Sequence, residues 1–312
     1  VTQGYITLLK KYCPDKLFFT HQRPAYIAPI ILAAETLSIE TLTFIFSWDN
    51  LASKGRMSGN FDAYFVWSDL MKSELLEFYT GLRKNQITIV GTPQFEPYVL
   101  DRYNSDKETF IEKFELNPKK RIICYSCADS SIGGNDEIHI RALWNYIESH
   151  NDLQLLVRTS PAEDGKRFEA LVHDIPEIKW NIPSWIQTRN IHAESWSQRL
   201  PTVEDMIDLK SILRFSDVNV NMLSTMSLDF MIFDKPVVNT VFGNEKNRLY
   251  NDQRFLNYVH YKNVIDREAV TIAKNQSELH QYLEEALSFP EKRKKQRKSV
   301  LDLEIGMPIL GT

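Results

Sequence analysis

The chain has 312 residues, with 37 Lys and Arg against 41 Asp and Glu, which leaves a net charge of −4 at neutral pH. Hydrophobic residues make up 43% and charged residues 25%, a balance typical of a globular protein long enough for two domains. The acidic balance argues against nucleic acid as a partner, because duplex binders usually carry a basic field. The apolar runs fall short of the roughly 20 residues that span a bilayer.

The cysteines favour a reducing compartment. Cys13, Cys124 and Cys127 are few and odd in number, which argues against a disulfide framework and predicts the cytoplasm as the location. Cys124 and Cys127 have C-x-x-C spacing, but Cys124 lies in the apolar run 122–125. We therefore expect a buried strand thiol rather than a redox or metal site. Residues 1–20 lack the charged-then-apolar order of a signal peptide.

Strand and helix patterns alternate along the first hundred residues, which predicts a parallel sheet with helices on both faces. In chain order, the predicted strands and helices cover 16–20 (strand), 24–37 (helix), 42–46 (strand), 63–67 (strand), 69–79 (helix) and 86–90 (strand). Ser68 or Asp69 is the predicted N-cap of the helix at 69–79. Residues 1–100 are assigned to an amino-terminal lobe and 101–120 to a linker that contains a short helix at 107–114.

A second alternating series predicts a carboxy-terminal lobe over residues 121–312. Its predicted strands cover 121–125, 153–158, 178–180, 218–222 and 236–240, the last of these being the final strand. Its predicted helices cover 136–149, 203–215, 226–233 and 277–287, the last being the final helix. The two series together predict two Rossmann-like lobes. We expect the amino-terminal lobe to be incomplete and residues to be missing at both ends, since no strand with a Gly-rich loop precedes Lys16.

Hydroxyl residues follow the predicted strand 218–222 and open the next helix. Ser224, Thr225 and Ser227 are placed there, where free N–H groups and the helix dipole favour an anion. The alternative is that Ser224 only caps the helix. The turn Asp234-Lys235-Pro236 into the next strand belongs to the same segment.

Two further strand ends carry candidates for donor binding. Arg158 and Ser160 follow the strand 153–158, where an arginine can hold a phosphate through two hydrogen bonds or form a salt bridge at a loop. Ser126 and Cys127 open a loop of small residues, 126–134, that a ligand can approach closely. This loop is neither a G-x-G-x-x-G fingerprint nor a P-loop.

The candidates for the acceptor side follow strands of the first lobe. Asp49 is placed to take a proton from an acceptor hydroxyl, and Trp48 to stack on a sugar, with Asn50 and Lys54 beside them. The alternative is an Asp that caps the next turn and a Trp that packs between the lobes. His21, between a strand and a helix, is a second candidate base or a packing residue.

Two further sequence features concern membrane contact and cofactors. The basic run 292–298 predicts either a solvated helix face or attachment to an anionic membrane surface. No H-E-x-x-H, paired Cys knuckle or D-x-D is present, so neither a metal nor another cofactor is expected, and the G-x-S-x-G elbow of serine hydrolases is absent.

Four stretches in their order resemble the GT-B class of glycosyltransferases. They are 47–55; 66–68 with 89–95; 156–161; and 223–229 with 234–237. The resemblance is to the branch shared by CDP-glycerol glycerophosphotransferase-like and UDP-GlcNAc 2-epimerase-like proteins of bacterial surface-polysaccharide synthesis. It implies metal-independent chemistry, with the donor nucleotide in the carboxy-terminal lobe. Carried over, it places donor phosphates near Arg158, Ser160, Ser224 and Thr225, with 126–134 bordering the nucleotide.

The expected activity is transfer of a sugar from a nucleotide-sugar donor to a hydroxyl of a glycan or lipid-linked glycan acceptor. Ser160 departs from the family pattern, which has His there, so a His contact to phosphate is lost and a glycerophosphate donor is disfavoured. The alternatives are a glycerophosphotransferase, a sugar-nucleotide epimerase that needs no acceptor, and a non-catalytic relative that acts as a scaffold.

Overall fold

The computed structural model describes residues 1–130, 132–189, 198–243, 252–306 and 309. They form two compact units, of which the first contains Val1–Glu96 and the described residues from position 300 on. The second unit contains Pro97–Ser299. This division differs in two ways from the lobes predicted at 1–100 and 121–312. Residues 97–120 pack with the second unit, and the described residues from position 300 on pack with the first.

The first unit is built on a parallel sheet. In its described part, the strands are β1 (Lys16–Phe19), β2 (Glu40–Phe44), β3 (Ala63–Val66) and β4 (Ile87–Ile89), in the spatial order β1-β2-β3-β4. The helices are α1 (Thr2–Tyr12), α2 (Ala28–Thr36), α3 (Asn50–Ser53) and α4 (Asp69–Phe78). Ser68 caps α4 by accepting a hydrogen bond from the Met71 N–H, which confirms the predicted cap.

The second unit contains a larger parallel sheet with helices around it. Among the described residues, its strands are β5 (Arg121–Ser126), β6 (Leu153–Arg158), β7 (Lys179–Asn181), β10 (Val218–Asn221), β11 (Val237–Thr240) and β12 (Thr271–Ala273). β8 (Trp185–Gln187) and β9 (Arg199–Pro201) form a separate antiparallel pair. The helices are α5 (Lys107–Lys113), α6 (Asp136–Ile147), α7 (Glu169–Asp174), α8 (Val203–Phe215), α9 (Met226–Ile232), α10 (Val259–Asp266) and α11 (Gln276–Ser288). The last helix, α12 (Lys294–Glu304), begins in the second unit and ends in the first.

The large sheet has the order β12-β11-β10-β5-β6-β7, which confirms the predicted Rossmann-like topology. One face is apolar: Ile123, Leu155 and Val220 pack in a core with side chains of α6 and α11. Side chains alternate between faces along a strand, so the neighbouring positions form the other face. That face is polar near the carboxyl ends of the strands, as described below.

The predicted linker 101–120 is part of the second unit. Phe110 of α5 packs against Phe215 at the end of α8, with ring centroids 5.4 Å apart. Lys113 binds Glu204 and Asp208 of α8, each at 2.7 Å. Tyr98, just before this segment, donates a hydrogen bond to Asp229 of α9. These contacts fix residues 97–120 to the second sheet and its helices.

The chain does not end its regular structure where the sequence predicted. β12 follows the strand predicted as the last, and α12 follows the helix predicted as the last. The basic run at the start of α12 is largely paired: Lys292 and Arg293 with Glu285, and Lys294 and Arg297 with Asp234. No helix in the described ranges is long and apolar enough to cross a membrane.

Candidate functional site

The strand order of the second sheet identifies the candidate ligand site at the carboxyl ends of its two central strands, β5 and β10. From β5 the chain winds outward to β6 and β7, and then returns to the other side of β5 to form β10, β11 and β12. The connections after β5 and β10 therefore leave the sheet in opposite directions. In open α/β sheets, ligands bind in the crevice at the carboxyl ends of such neighbouring strands. We call this place the switch point.

The loop after β5, which we call the β5–α6 loop (127–130 and 132–135), forms one side of the switch point. Its backbone turns tightly, because the Ile132 and Gly133 N–H groups both donate to the Asp129 carbonyl, at 2.8 and 2.7 Å. A Cβ atom on Gly133 would lie 2.5 Å from Cβ of Ala128, so only glycine fits there. No side chain can be accommodated at this point of the loop.

The turn after β10 forms the other side. Leu223 has a left-handed backbone with φ of 49°, and the Ser224 N–H donates to Oδ1 of Asn221 at 2.9 Å. Ser224 Oγ accepts from the N–H of Met226, the first residue of α9, at 3.3 Å, while the N-cap position is Thr225, whose side chain makes no capping hydrogen bond. Ser224 and Thr225 are both half-buried, which leaves part of each side chain at the surface of the switch point.

A buried polar row crosses the carboxyl end of the large sheet. Its members are register partners on adjacent strands: Asn239, Asn221, Ser126, Arg158 and Asn181. Each is at most 5% exposed. A polar group buried without a partner is costly, so this row depends on hydrogen bonds to the helices that cover it.

The side-chain amides of Asn221 and Asn239 in this row form hydrogen bonds within the protein. Asn221 and Asn239 bond with Ser227 of α9 and Tyr261 of α10, and Ser227 Oγ lies 2.6 Å from the Tyr261 hydroxyl. Ser126 accepts a hydrogen bond from Asn219 at 2.9 Å. Ser126 is 2% exposed and Ser227 is fully buried, which corrects their prediction as donor-binding residues. Both hydroxyls stabilise the interior instead.

Arg158 is also used internally. Its guanidinium donates to both carboxylate oxygens of Asp205, at 3.1 and 2.9 Å, and to Oδ1 of Asn181. Trp185 adds a 2.7 Å hydrogen bond from Nε1 to the same carboxylate. With 5% of Arg158 exposed, the structure supports the salt-bridge alternative rather than the predicted phosphate contact.

The remaining predicted donor residues are nearly inaccessible. Cys127 is 7% exposed, and burial raises the pKa of its thiol far above the usual range. Burial also raises the pKa of Cys124 to about 12, in agreement with the predicted inert strand thiol. Ser160 is 7% exposed and accepts from the Ala162 N–H at 3.3 Å, which stabilises the turn after β6.

The first unit brings most of the predicted acceptor residues together. β1 and β2 are parallel neighbours, so the segments that follow them meet at the same edge of the sheet. Asp49 accepts from Ser47 at 2.7 Å and from Asn50 at 3.1 Å, and lies 3.3 Å from the ammonium group of Lys54. Gln22, which the sequence reading missed, donates to Asn50 at 2.9 Å.

His21 and Trp48 differ in accessibility. His21 is half-buried beside this network, where its ring packs on Phe46 at a centroid distance of 4.4 Å and its Nδ1 is 3.3 Å from the Arg23 N–H. Trp48 is only 2% exposed. Trp48 is therefore a packing residue in this structure, and a sugar-stacking role for it stays a prediction.

Three ionisable groups near the switch point have shifted pKa values. Burial raises the pKa of Asp136 to about 6, against the opposing effect of Arg167. Burial likewise raises the pKa of Asp229 to about 6, against its hydrogen bond from Tyr98. Burial lowers the pKa of His139 to about 4, so this histidine is neutral at pH 7. No motif in the sequence singled out Asp136, Arg167 or Asp205. The ion pairs between Arg167 and Asp136 and between Arg158 and Asp205 join residues 31 and 47 positions apart.

A cavity of about 760 Å³ in the first unit does not coincide with these sites. Ile31, Glu35, Thr41, Phe61 and Asp62 are among its lining residues. They place it at the amino ends of β2 and β3, opposite the edge at which parallel sheets bind ligands. Among the residues that the structure describes, no group of three or more His, Cys, Asp or Glu is arranged to hold a metal ion.

No protein-family model matches the chain, and no curated protein matches its sequence. Solved structures do match its fold. UDP-GlcNAc 2-epimerase from Neisseria meningitidis, bound to UDP-GlcNAc, is 10% identical with a TM-score of 0.62, and the match covers 99% of this chain and 76% of that one. A glycosyltransferase from Rickettsia africae is 15% identical with a TM-score of 0.55, over 97% and 76%.

The wall teichoic acid polymerase TagF, in a crystal soaked with CDPG, is 15% identical with a TM-score of 0.54, and the match covers 93% of this chain and 67% of that one. At these identities the likeness concerns the fold. The chain is an α/β protein with the two-lobe Rossmann-like fold of the GT-B class, as the sequence resemblance implied.

Proposed function

We propose that the chain is a glycosyltransferase that binds a nucleotide-sugar donor at the switch point of its second unit and transfers the sugar to a hydroxyl of a surface glycan. The observation that carries the proposal is the reversal of strand order between β5 and β10. The tightly turned β5–α6 loop and the half-buried Ser224 and Thr225 flank that position. Similar folds that are solved with UDP-GlcNAc or CDPG support a nucleotide-linked donor.

The reaction breaks the bond between the anomeric carbon and the diphosphate oxygen, and that oxygen keeps the electron pair. The hydroxyls of Ser224 and Thr225, with the backbone dipoles of the β5–α6 loop beside them, are the groups we assign to this developing charge. Because Arg158 is neutralised by Asp205, the site relies on dipoles rather than on that cation. Arg158 keeps the carboxyl end of β6 in place.

On the acceptor side, we assign Asp49 as the base that takes the proton of the attacking hydroxyl. Its carboxylate is held by Ser47 and Asn50, and Lys54 balances its charge. Held carboxylates of this kind suit general-base catalysis, because orientation is fixed before the substrate arrives. His21, half-buried in the same network, is the second candidate for this role.

The first experiment measures binding. Purified protein is screened by thermal shift against UDP, CDP, CMP, GDP, ADP and dTDP, and we expect one nucleotide to raise the melting temperature. At roughly 100 times its Kd, a ligand adds about 2.7 kcal/mol to the free energy of unfolding. The double variant Ser224→Ala, Thr225→Val should weaken that nucleotide about tenfold, which corresponds to about 1.4 kcal/mol.

Ser288→Ala is the matched control, because Ser288 is an exposed hydroxyl at the end of α11, bonded only to Glu284 among the described contacts. It should bind the nucleotide like the wild type. If no nucleotide stabilises the folded protein, the proposal of a nucleotide-sugar enzyme is wrong and the scaffold alternative is favoured.

The second experiment separates transfer from epimerisation. The sugar nucleotide that binds is incubated with and without glycan acceptors, and products are resolved by mass spectrometry and NMR. Transfer requires the acceptor, whereas an epimerase changes the sugar of the donor alone. Asp49→Asn should retain nucleotide affinity and lose transfer, and Asp69→Asn, an exposed carboxylate at the start of α4, should keep both.

A further inference from the structure

Arg167 contacts both ends of the β5–α6 loop. Its Nη2 donates to the Ala128 carbonyl at 2.8 Å, and its Nη1 donates to the Gly133 carbonyl at 3.1 Å. Ala128 and Gly133 also lie close together across the loop, since a Cβ atom added at Gly133 would lie 2.5 Å from Cβ of Ala128. One planar guanidinium therefore holds the Ala128 and Gly133 carbonyls at a fixed separation.

The guanidinium is itself held in orientation by two carboxylates. Glu163 accepts from Nε at 2.7 Å and from Nη2 at 2.8 Å, and Asp136 accepts from Nη2 at 2.7 Å. The group also lies over the Phe168 ring, 4.3 Å from its centroid. Only arginine offers donors in a rigid fork that can meet carboxylates and carbonyls at once, so lysine cannot reproduce this set.

Asp136 connects this arrangement to the sheet. It is the first residue of α6, and its second carboxylate oxygen accepts from the Tyr125 hydroxyl at 2.7 Å and lies 3.4 Å from the Ala128 N–H. The loop thus contacts Tyr125 of β5 through Asp136, and it contacts the segment just before α7 through Arg167. Its backbone is held before any ligand arrives.

We infer that Arg167 is a positioning residue for the nucleotide: by clamping Ala128 and Gly133 it fixes the backbone of the β5–α6 loop in the conformation that binds the donor. This inference rests on the proposed function of the switch point. A preorganised loop binds more tightly because less conformational entropy is lost on binding. The competing explanation is that Arg167 only contributes ion pairs to stability.

The two explanations are separated by Arg167→Lys, with Arg141→Lys as the matched control. Arg141 also bonds two carboxylates, Glu137 at 3.0 Å and Asp174 at 2.7 Å, and contacts no loop carbonyl among the described residues. For each protein we measure the Kd of the nucleotide found in the thermal-shift screen, the melting temperature, and hydrogen exchange at the amides of 128–130 and 132–134.

If Arg167 positions the loop, Arg167→Lys weakens the nucleotide about tenfold and speeds exchange at the loop amides, at a melting temperature close to that of Arg141→Lys. Wild-type affinity and exchange in Arg167→Lys overturn the inference and leave the proposed function intact. Failure of the wild-type protein to bind any nucleotide overturns both, and the exchange data then show only whether the clamp orders the loop.

Discussion

Arg158 and Asp205 form a two-point ion pair inside the second unit, with side chains 6% and 1% exposed. The pair joins the end of β6 to the first turn of α8, and Trp185 donates to the same carboxylate. Removing two charges from water costs free energy, and only their mutual attraction and added hydrogen bonds of this kind offset that cost. Losing one partner therefore leaves the other charge buried and uncompensated.

We predict that Asp205→Asn lowers the free energy of unfolding by about 3–5 kcal/mol, the range for breaking a buried pair from one side. Urea denaturation at pH 7 measures this. Asp152→Asn is the control, since Asp152 pairs with Arg121 where the two side chains are 56% and 43% exposed. Exposed pairs contribute at most about 1 kcal/mol. Equal losses in the two variants would contradict the structure.

His139 should make stability depend on pH. Its Nε2 bonds the Phe242 carbonyl at 2.6 Å, and burial lowers its pKa to about 4 from an unfolded value near 6.5. The unfolded chain therefore binds the extra proton first as pH falls, so stability is full above pH 6.5 and declines toward pH 4. At pH 5 the loss from this group is about 2 kcal/mol.

The measurement compares wild type with His139→Gln by urea denaturation at pH 7 and at pH 5. The stability difference between the two proteins should shrink by about 2 kcal/mol at the lower pH, because the variant has no proton to take up. Effects of Asp136 and Asp229, whose raised pKa values act in the opposite direction, are common to both. His173→Gln, at a side chain 91% exposed, should show no such change.

Gly133 should tolerate no side chain. A Cβ there would lie 2.5 Å from Cβ of Ala128 and 2.9 Å from Oδ2 of Asp136. Forcing a methyl group into such a space typically costs about 1–3 kcal/mol. Gly133→Ala should therefore lower the melting temperature and nucleotide affinity together, whereas Gly81→Ala, where nothing lies within 4 Å, should lower neither. A wild-type melting temperature for Gly133→Ala would show that the loop has another conformation.

The basic run 292–298 should bind anionic vesicles only weakly. Four of its six positive charges have a carboxylate partner at Glu285 or Asp234. Each unpaired charge near a membrane surface gains about 1 kcal/mol, so Glu285→Gln, which releases Lys292 and Arg293, should raise vesicle affinity about tenfold or more. Flotation with phosphatidylserine vesicles tests this. Strong wild-type binding would support the membrane alternative.

The sequence predicted strand positions well where apolar runs are continuous. The runs at 121–125 and 153–158 became β5 and β6, because a buried parallel strand is apolar on most of its length. The alternation of Val and Asn at 218–221 became β10. The basic run 292–298 predicted a helix face as one of two alternatives, and α12 does begin within it. Lys294 and Arg297 of α12 bind Asp234, which lies 63 residues before Arg297, and no local pattern reveals a partner at that distance.

The sequence places the candidate residues along the strands and helices but does not reveal their partners. Arg158 does stand at a strand end beside the switch point, but its partner Asp205 lies 47 residues further on. Ser227 belongs to a helix that opens at the switch point, yet its hydroxyl faces Asn221, Asn239 and Tyr261 in the interior. A hydroxyl at a helix start is compatible with both a ligand and a core network, and only the fold distinguishes them.

The division of the chain has a consequence for its synthesis. The second unit is continuous in sequence, from Pro97 to Ser299, whereas the first unit takes residues from before position 97 and from position 300 on. Domains fold as their sequences leave the ribosome. The second unit can thus finish folding first, and the first remains without the Val300 and Ile305 side chains, both buried in the finished protein, until translation reaches them. During that interval the nascent first unit, with its apolar surface uncovered, is the part most in need of a chaperone.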